Sequence, residues 1–76
     1  HRLIAANLSN LGSLHRKMDD VKNAINCYKE ALYIYKKIYK NKVHPDTVAT
    51  RLNTGRIYQD SGDIKQAVEI YQKCLR

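Results

Sequence analysis

Residues 9–15 read SNLGSLH, and residues 52–58 read LNTGRIY. Each stretch places a glycine three residues before a ring, His15 in the first and Tyr58 in the second. Each glycine is followed twelve residues later by an alanine and sixteen later by a tyrosine: Gly12, Ala24, Tyr28, then Gly55, Ala67, Tyr71. All three pairs are offset by 43 positions. A constant offset of this size is the mark of tandem supersecondary units. Sliding residues 1–33 onto 44–76 gives nine identities, the others being His1/His44, Ala6/Ala49, Asn10/Asn53, Asp20/Asp63, Lys22/Lys65 and Leu32/Leu75. Ordinary residue usage would give roughly two. Leu14/Ile57, Val21/Ile64, Ile25/Val68 and His15/Tyr58 are conservative replacements at the same offset.

Working outward, the periodicity is helical throughout and nothing reads as strand. Ile4, Leu8, Leu11, Gly12 and His15 form one stripe of a helix over about residues 3–17, flanked by Leu14 and Met18. Glycine costs about 1 kcal/mol against alanine inside a helix, so a repeated interior glycine predicts a close helix–helix approach. KMDD at 17–20 makes a turn in which Asp19 or Asp20 caps a second helix over about 20–41. Val21, Ala24, Ile25, Tyr28, Ala31, Leu32, Tyr35, Ile38 and Tyr39 are its apolar stripe. The connector NKVHPD holds Pro45, which suits a first helical turn, and Asp46 or Thr47 is the expected cap of a helix over 46–60. That helix carries Val48, Ala49, Leu52, Gly55, Ile57 and Tyr58, with Arg51 and Thr54 where Leu8 and Leu11 stand in the first copy. SGD at 61–63 turns into a fourth helix over 63–76, with Asp63 as cap and Ile64, Ala67, Val68, Tyr71, Cys74 and Leu75 as its stripe. The expected fold is all-α: two tandem antiparallel helical hairpins, 1–43 and 44–76, stacked as part of an α-solenoid.

A 76-residue chain is one small domain at most, and below about 80 residues a core usually needs a staple or a partner. No staple is visible. Cys27 and Cys74 occupy different repeat positions and lack metal-ligand spacing. They read as neutral thiols of a reducing compartment, which makes the expected location cytoplasmic. No apolar run approaches the roughly 20 residues of a membrane span, and no basic-then-apolar leader opens the chain. His1 falls mid-pattern, because its counterpart His44 precedes a helix, so the chain reads as a piece of a longer array.

Fourteen Lys plus Arg against seven Asp plus Glu give a net charge of +7. Lys22, Lys29, Lys36 and Lys40 lie on the outer face of the second helix, and cations at its end offset the helix dipole. A solvated face explains them, and nucleic acid is the least supported partner. His1, His15 and His44 form no ligand set. No nucleophile elbow, phosphate loop or carboxylate pair is present. No cofactor, metal or catalytic residue is therefore expected.

Taken together, these residues resemble a pair of tetratricopeptide repeats. Leu8, Leu11, Gly12, His15, Ala24, Tyr28 and Ala31 match the family pattern in the first copy; Gly55, Tyr58, Ala67, Tyr71 and Cys74 match it in the second. The 43-residue period is longer than the common 34, and with HPDTVAT it resembles the kinesin light chain type; SNLG also resembles the repeats of G-protein-regulating polarity scaffolds. The resemblance implies a right-handed α-solenoid and protein–protein interaction, with first helices lining a concave groove for a peptide or helix. Asn10, Ser13, Arg16, Lys17, Asn53, Arg56 and Gln59 are the groove candidates, on the face opposite Leu8, Leu11 and His15. An amide at the same place in both repeats can donate and accept, which suits a peptide backbone, and Arg56 can grip a carboxylate. The family's clamp for chaperone C-termini places lysine and asparagine where this chain has Ser9 and Ser13, which counts against that partner. Purely structural repeats, stacking on neighbouring repeats or on a second copy, are the rival reading.

Overall fold

The computed structural model describes residues 1–40 and 42–74, and among these all regular structure is helical. The four helices are α1 (Arg2–Lys17), α2 (Val21–Tyr39), α3 (Pro45–Asp60) and α4 (Ile64–Cys74). α1 packs on α2, α3 on α4, and α2 on α3, while α1 and α3 meet only lightly. The result is two antiparallel hairpins, joined because the second helix of one packs on the first helix of the next.

The register of the first hairpin follows from two large and two small residues. Tyr28 and Tyr35 stand seven apart on α2; Gly12 and Ala5 stand seven apart on α1. Seven forward on one helix is seven back on the other, so each ring meets a small residue. Ala5, Ala31 and Tyr35 form one buried cluster with Leu8 against it. Gly12 meets Tyr28: a Cβ built on the glycine would lie 2.9 Å from ring carbon Cε1. The second hairpin repeats this, with a Cβ on Gly55 falling 2.7 Å from Cε1 of Tyr71.

This geometry turns α1 away from the expected stripe. Ala5 and Gly12 are buried, whereas Ile4 is 56 % and Leu11 44 % exposed. Close approach to two tyrosines selects the small side of α1 rather than its most apolar side. On α3, Thr50, Thr54, Gly55 and Ile57 are buried and Leu52 is left outside. The threonines tolerate burial because each hydroxyl bonds its own helix: Thr50 Oγ1 donates to the Asp46 carbonyl at 2.9 Å and Thr54 Oγ1 to the Thr50 carbonyl at 2.8 Å.

The hairpin turns are also duplicated. Asp20 N–H donates to the His15 carbonyl and Asp19 N–H to Arg16; Asp63 N–H donates to Tyr58 and Gly62 N–H to Gln59. These are Schellman closures, with Asp19 (φ +60°) and Gly62 (φ +89°) in the left-handed region. Asp20 then caps α2, accepting from the Asn23 side chain at 2.7 Å and its backbone N–H at 3.4 Å. The bond from the Asn23 side chain holds the Asp20 carboxyl below its ordinary range, with its backbone N–H and His15 adding to the effect against partial burial. Asp63 Oδ1 accepts likewise from Gln66 N–H.

The start of α3 differs from expectation. Pro45 is the first helical residue and His44 the cap, its Nδ1 accepting from Asp46 N–H at 3.1 Å. His1 caps α1 in the same way, Nδ1 accepting from Leu3 N–H. A ring nitrogen thus replaces the carboxylate or hydroxyl sought at 46 and 47. His44 also stacks on Tyr39 with centroids 3.7 Å apart. The expected ends of α2 at 41 and α4 at 76, and Leu75, lie outside the described residues; α2 ends at Tyr39, where Lys40 turns to φ +54°.

The glycine contacts give an asymmetric expectation. Alanine adds about 1 kcal/mol of helix propensity, but overpacking a core costs about 1–3 kcal/mol. Tyr28 is fully buried and cannot yield, while Tyr71 is only partly covered. Gly12→Ala should therefore lower the melting temperature, and Gly55→Ala should change it less despite the shorter contact. Thermal unfolding followed by circular dichroism measures both.

Candidate functional site

A shallow cavity of about 250 Å³ lies between α1 and α3. Ser9, Asn10 and Ser13 of α1 form one wall; Thr50 and Asn53 of α3 form the other. Tyr35 of α2, only 3 % exposed, makes the floor, and Asp46 closes the end at the start of α3. Five of these residues are small, uncharged and hydrogen-bonding. The helices stand this way because α2 packs beneath both, so α1 and α3 splay apart above it.

The floor is tied down by hydroxyls. Ser9 Oγ and Thr50 Oγ1 lie 3.0 Å apart and bridge α1 to α3. Ser13 Oγ donates to the Ser9 carbonyl at 3.2 Å and lies 2.8 Å from the Tyr28 hydroxyl. At the closed end the Tyr39 hydroxyl donates to Asp46 Oδ2 at 3.1 Å. Burial, the bond to Asp46 and the neighbouring Asp46 charge raise the Tyr39 phenol above its ordinary range. Burial chiefly, with Asp46 helping, also raises Tyr35. Both phenols stay protonated, so Tyr39 serves as a donor to the carboxylate.

The seven groove candidates divide. Asn10, Ser13 and Asn53 line the same cavity, although Ser13 is already engaged by Tyr28. Asn10 is exposed and Asn53 half-buried. Arg16 and Gln59 do not line it: Arg16 Nη2 contacts Asp60 Oδ2 at 3.3 Å, and Gln59 Oε1 accepts from the Tyr71 hydroxyl at 3.2 Å. Arg56 and Lys17 are exposed outside the cavity. Among the expected core residues, Ala24, Tyr28, Ala31, Ala67 and both glycines are buried; Leu8, His15, Tyr58, Tyr71 and Cys74 are half-buried, and Leu11 faces out.

Sequence reading assigned Tyr35 to the core stripe, Asp46 to a cap, and Thr50 to nothing. Thr50 was legible: it stands three after Thr47 and four before Thr54, within the only helix whose apolar stripe is interrupted. What periodicity could not supply is the splay of α1 and α3, which exposes one side of those residues.

Two further features bear on chemistry. Cys27 and Cys74 are unpaired thiols, and burial, with Glu30 and Asp20 nearby, raises the Cys27 thiol. Among the described residues no three His, Cys, Asp or Glu come together as a metal site, and no helix is long and apolar enough to cross a membrane.

Removing the Ser13 hydroxyl leaves the buried Tyr28 hydroxyl without a partner. Ser13→Ala should lose about 1–3 kcal/mol of stability, and Tyr28→Phe combined with it should recover part of that loss. Chemical denaturation of the single and double variants checks this.

No match was found among curated proteins, and none among solved structures. A family model described as tetratricopeptide repeat matches residues 3–76. That span takes in both glycine–tyrosine hairpins and the groove between them. The chain belongs to the tetratricopeptide repeat family, whose members generally mediate protein–protein interaction or scaffolding and are generally non-catalytic.

Proposed function

We propose that the chain is a non-catalytic interaction module, made of repeats 1–43 and 44–76, that holds an extended peptide or a helix of a partner protein in the groove between α1 and α3. The observation that carries this is the pair Asn10 and Asn53. They share one repeat position and line one cavity, beside Ser9, Ser13 and Thr50 hydroxyls that are already hydrogen-bonded. Carboxamides spaced along a groove suit a ligand whose backbone offers alternating donors and acceptors. Arg56 and Lys17, exposed outside the cavity, are then free to meet acidic side chains of the partner, whereas Arg16 and Gln59 stay with Asp60 and Tyr71. The 43-residue period supports the kinesin light chain type of repeat, and the free thiols support a cytoplasmic setting for an adaptor.

Panning a random peptide library against the chain tests the groove. Two lost hydrogen bonds at roughly 0.5–1.5 kcal/mol each should weaken selected peptides about tenfold in the Asn10→Ala/Asn53→Ala double variant. Helicity and melting should be unchanged, because neither asparagine is buried. Equal peptide binding by the double variant would remove the proposal.

A second reading, stacking on neighbouring repeats or on another copy, is favoured by one equivalence. Ile57 is 1 % exposed and packs with Ala24 and Tyr28, with Val21 and Ile25 against that cluster. Its counterpart Leu14 is 55 % exposed, and so are Ile64 (54 %) and Val68 (46 %), the counterparts of Val21 and Ile25. One end thus carries the knob and the other the socket. Sedimentation of the isolated chain should show a weight that rises with concentration and falls back in Leu14→Glu. A monomer at every concentration would count against self-stacking.

A further inference from the structure

A second cavity, of about 260 Å³, lies where the end of α2, the connector, α3 and the end of α4 converge. Lys36 and Lys40 of α2, Lys42 of the connector, Arg51 of α3 and Lys73 of α4 line it, with His44 beside them. No acidic side chain is among the lining residues. The nearest one in sequence, Asp46, lines the other groove, where Tyr39 donates to its Oδ2, an oxygen that also lies 3.6 Å from Nδ1 of His44.

Helix dipoles explain part of this charge. Lys36 sits in the last turn of α2 and Lys73 in the last turn of α4, where cations are favoured. They do not explain Arg51, which stands in the middle of α3. Its counterpart Leu8 packs against the Ala5, Ala31 and Tyr35 cluster. The second repeat therefore replaces a packing leucine with a guanidinium at this corner. Lys73 likewise stands where the first repeat has Glu30, a reversal of sign. Two departures from internal symmetry, on different helices, add positive charge to one cavity. Like charges brought together repel, and a bound anion converts that repulsion into attraction. A guanidinium supplies a planar fork that matches two oxygens, and lysines supply mobile charges around it.

We infer that this corner is an oxyanion site that takes a phosphoryl group, with Arg51 as its bidentate anchor and Lys36, Lys40, Lys42 and Lys73 neutralising it. The cavity equals several water volumes at roughly 30 Å³ each, which leaves room for a phosphate ester together with the atoms that carry it. The site is separate from the groove between α1 and α3, and neither reading depends on the other.

The test is a titration at low salt, followed by backbone amide shifts of the isotope-labelled chain. Inorganic pyrophosphate, a phosphoserine peptide and the same peptide unphosphorylated are the probes. Saturable shifts should be confined to residues around 36–40, 42–51 and 73, and weaken as salt is added. Arg51→Gln/Lys73→Gln should weaken pyrophosphate at least about tenfold, and Lys36→Gln/Lys40→Gln, at exposed positions, should weaken it without touching the core. Lys22→Gln/Lys29→Gln should change nothing. Tighter binding of the phosphopeptide than of pyrophosphate assigns a protein-borne phosphate; the reverse order assigns a free one. Shifts spread over all lysines, or equal binding by the Arg51 and Lys36 double variants, would overturn the site.

Discussion

A tyrosine ring lying on a bare α-carbon sets the geometry of this molecule. Gly12 under Tyr28, and Gly55 under Tyr71, bring the two helices of each hairpin closer than any side chain would permit. Dispersion between a flat ring and a helix backbone is gained over many atom pairs at once. The approach also fixes rotation, since a ring can meet α1 only where the residue is small. Ala5 against the Tyr35 cluster repeats the constraint one level along. The exposure of Ile4 and Leu11 follows from it.

The same constraint produces the groove. With α2 drawn tightly against α1 and packed on α3, the first helices of the two hairpins are held apart above Tyr35. Between them lies polar surface whose own hydroxyls are already bonded: Ser9 to Thr50, Ser13 to Tyr28 and to the Ser9 carbonyl. Hydroxyls bonded in this way do not compete for other polar groups, and Asn10 and Asn53 line the same cavity beside them. The second cavity has the contrary character, rich in cations with no carboxylate among its lining residues. One small scaffold thus presents a polar groove between α1 and α3 and a strongly cationic corner.

The two hairpins are not equally finished. Tyr28 is sealed by Ile57 of the next hairpin, while Tyr71 carries the same glycine contact with its outer side open. Ile57 is buried because α2 lies across it; Leu14, its equivalent, meets solvent. Identical local chemistry therefore yields different burial, according to whether a neighbouring hairpin is present. This is the behaviour of a stacked array, in which stability is shared between units and their interfaces.

The 43-residue offset, the four helices, the turns at 17–20 and 61–63 and a close helix–helix approach at each repeated glycine were legible in the sequence by itself; that a tyrosine ring fills each approach was not. Each depends on local chemistry: helical periodicity, turn-forming residues in KMDD and SGD, and a glycine whose helix penalty demands a packing reason. The amide repeated at Asn10 and Asn53 was visible in the sequence too, and both residues line the cavity between α1 and α3. The tertiary structure alone decided which side of α1 and of α3 is inside; on α2 the expected stripe holds every buried residue, Ala24, Tyr28, Ala31 and Tyr35. Thr54 read as a break in an apolar stripe and Thr50 had no assigned place, yet both are buried, because each hydroxyl folds back on its own helix. Arg16 and Gln59 read as free groove groups, yet Asp60 and Tyr71 occupy them, since those partners arrive only when helices pack. His44 read as part of a loop, yet its ring nitrogen starts α3. Periodicity along one helix states what that helix is able to bury; the distance and rotation of its neighbours determine what it does bury.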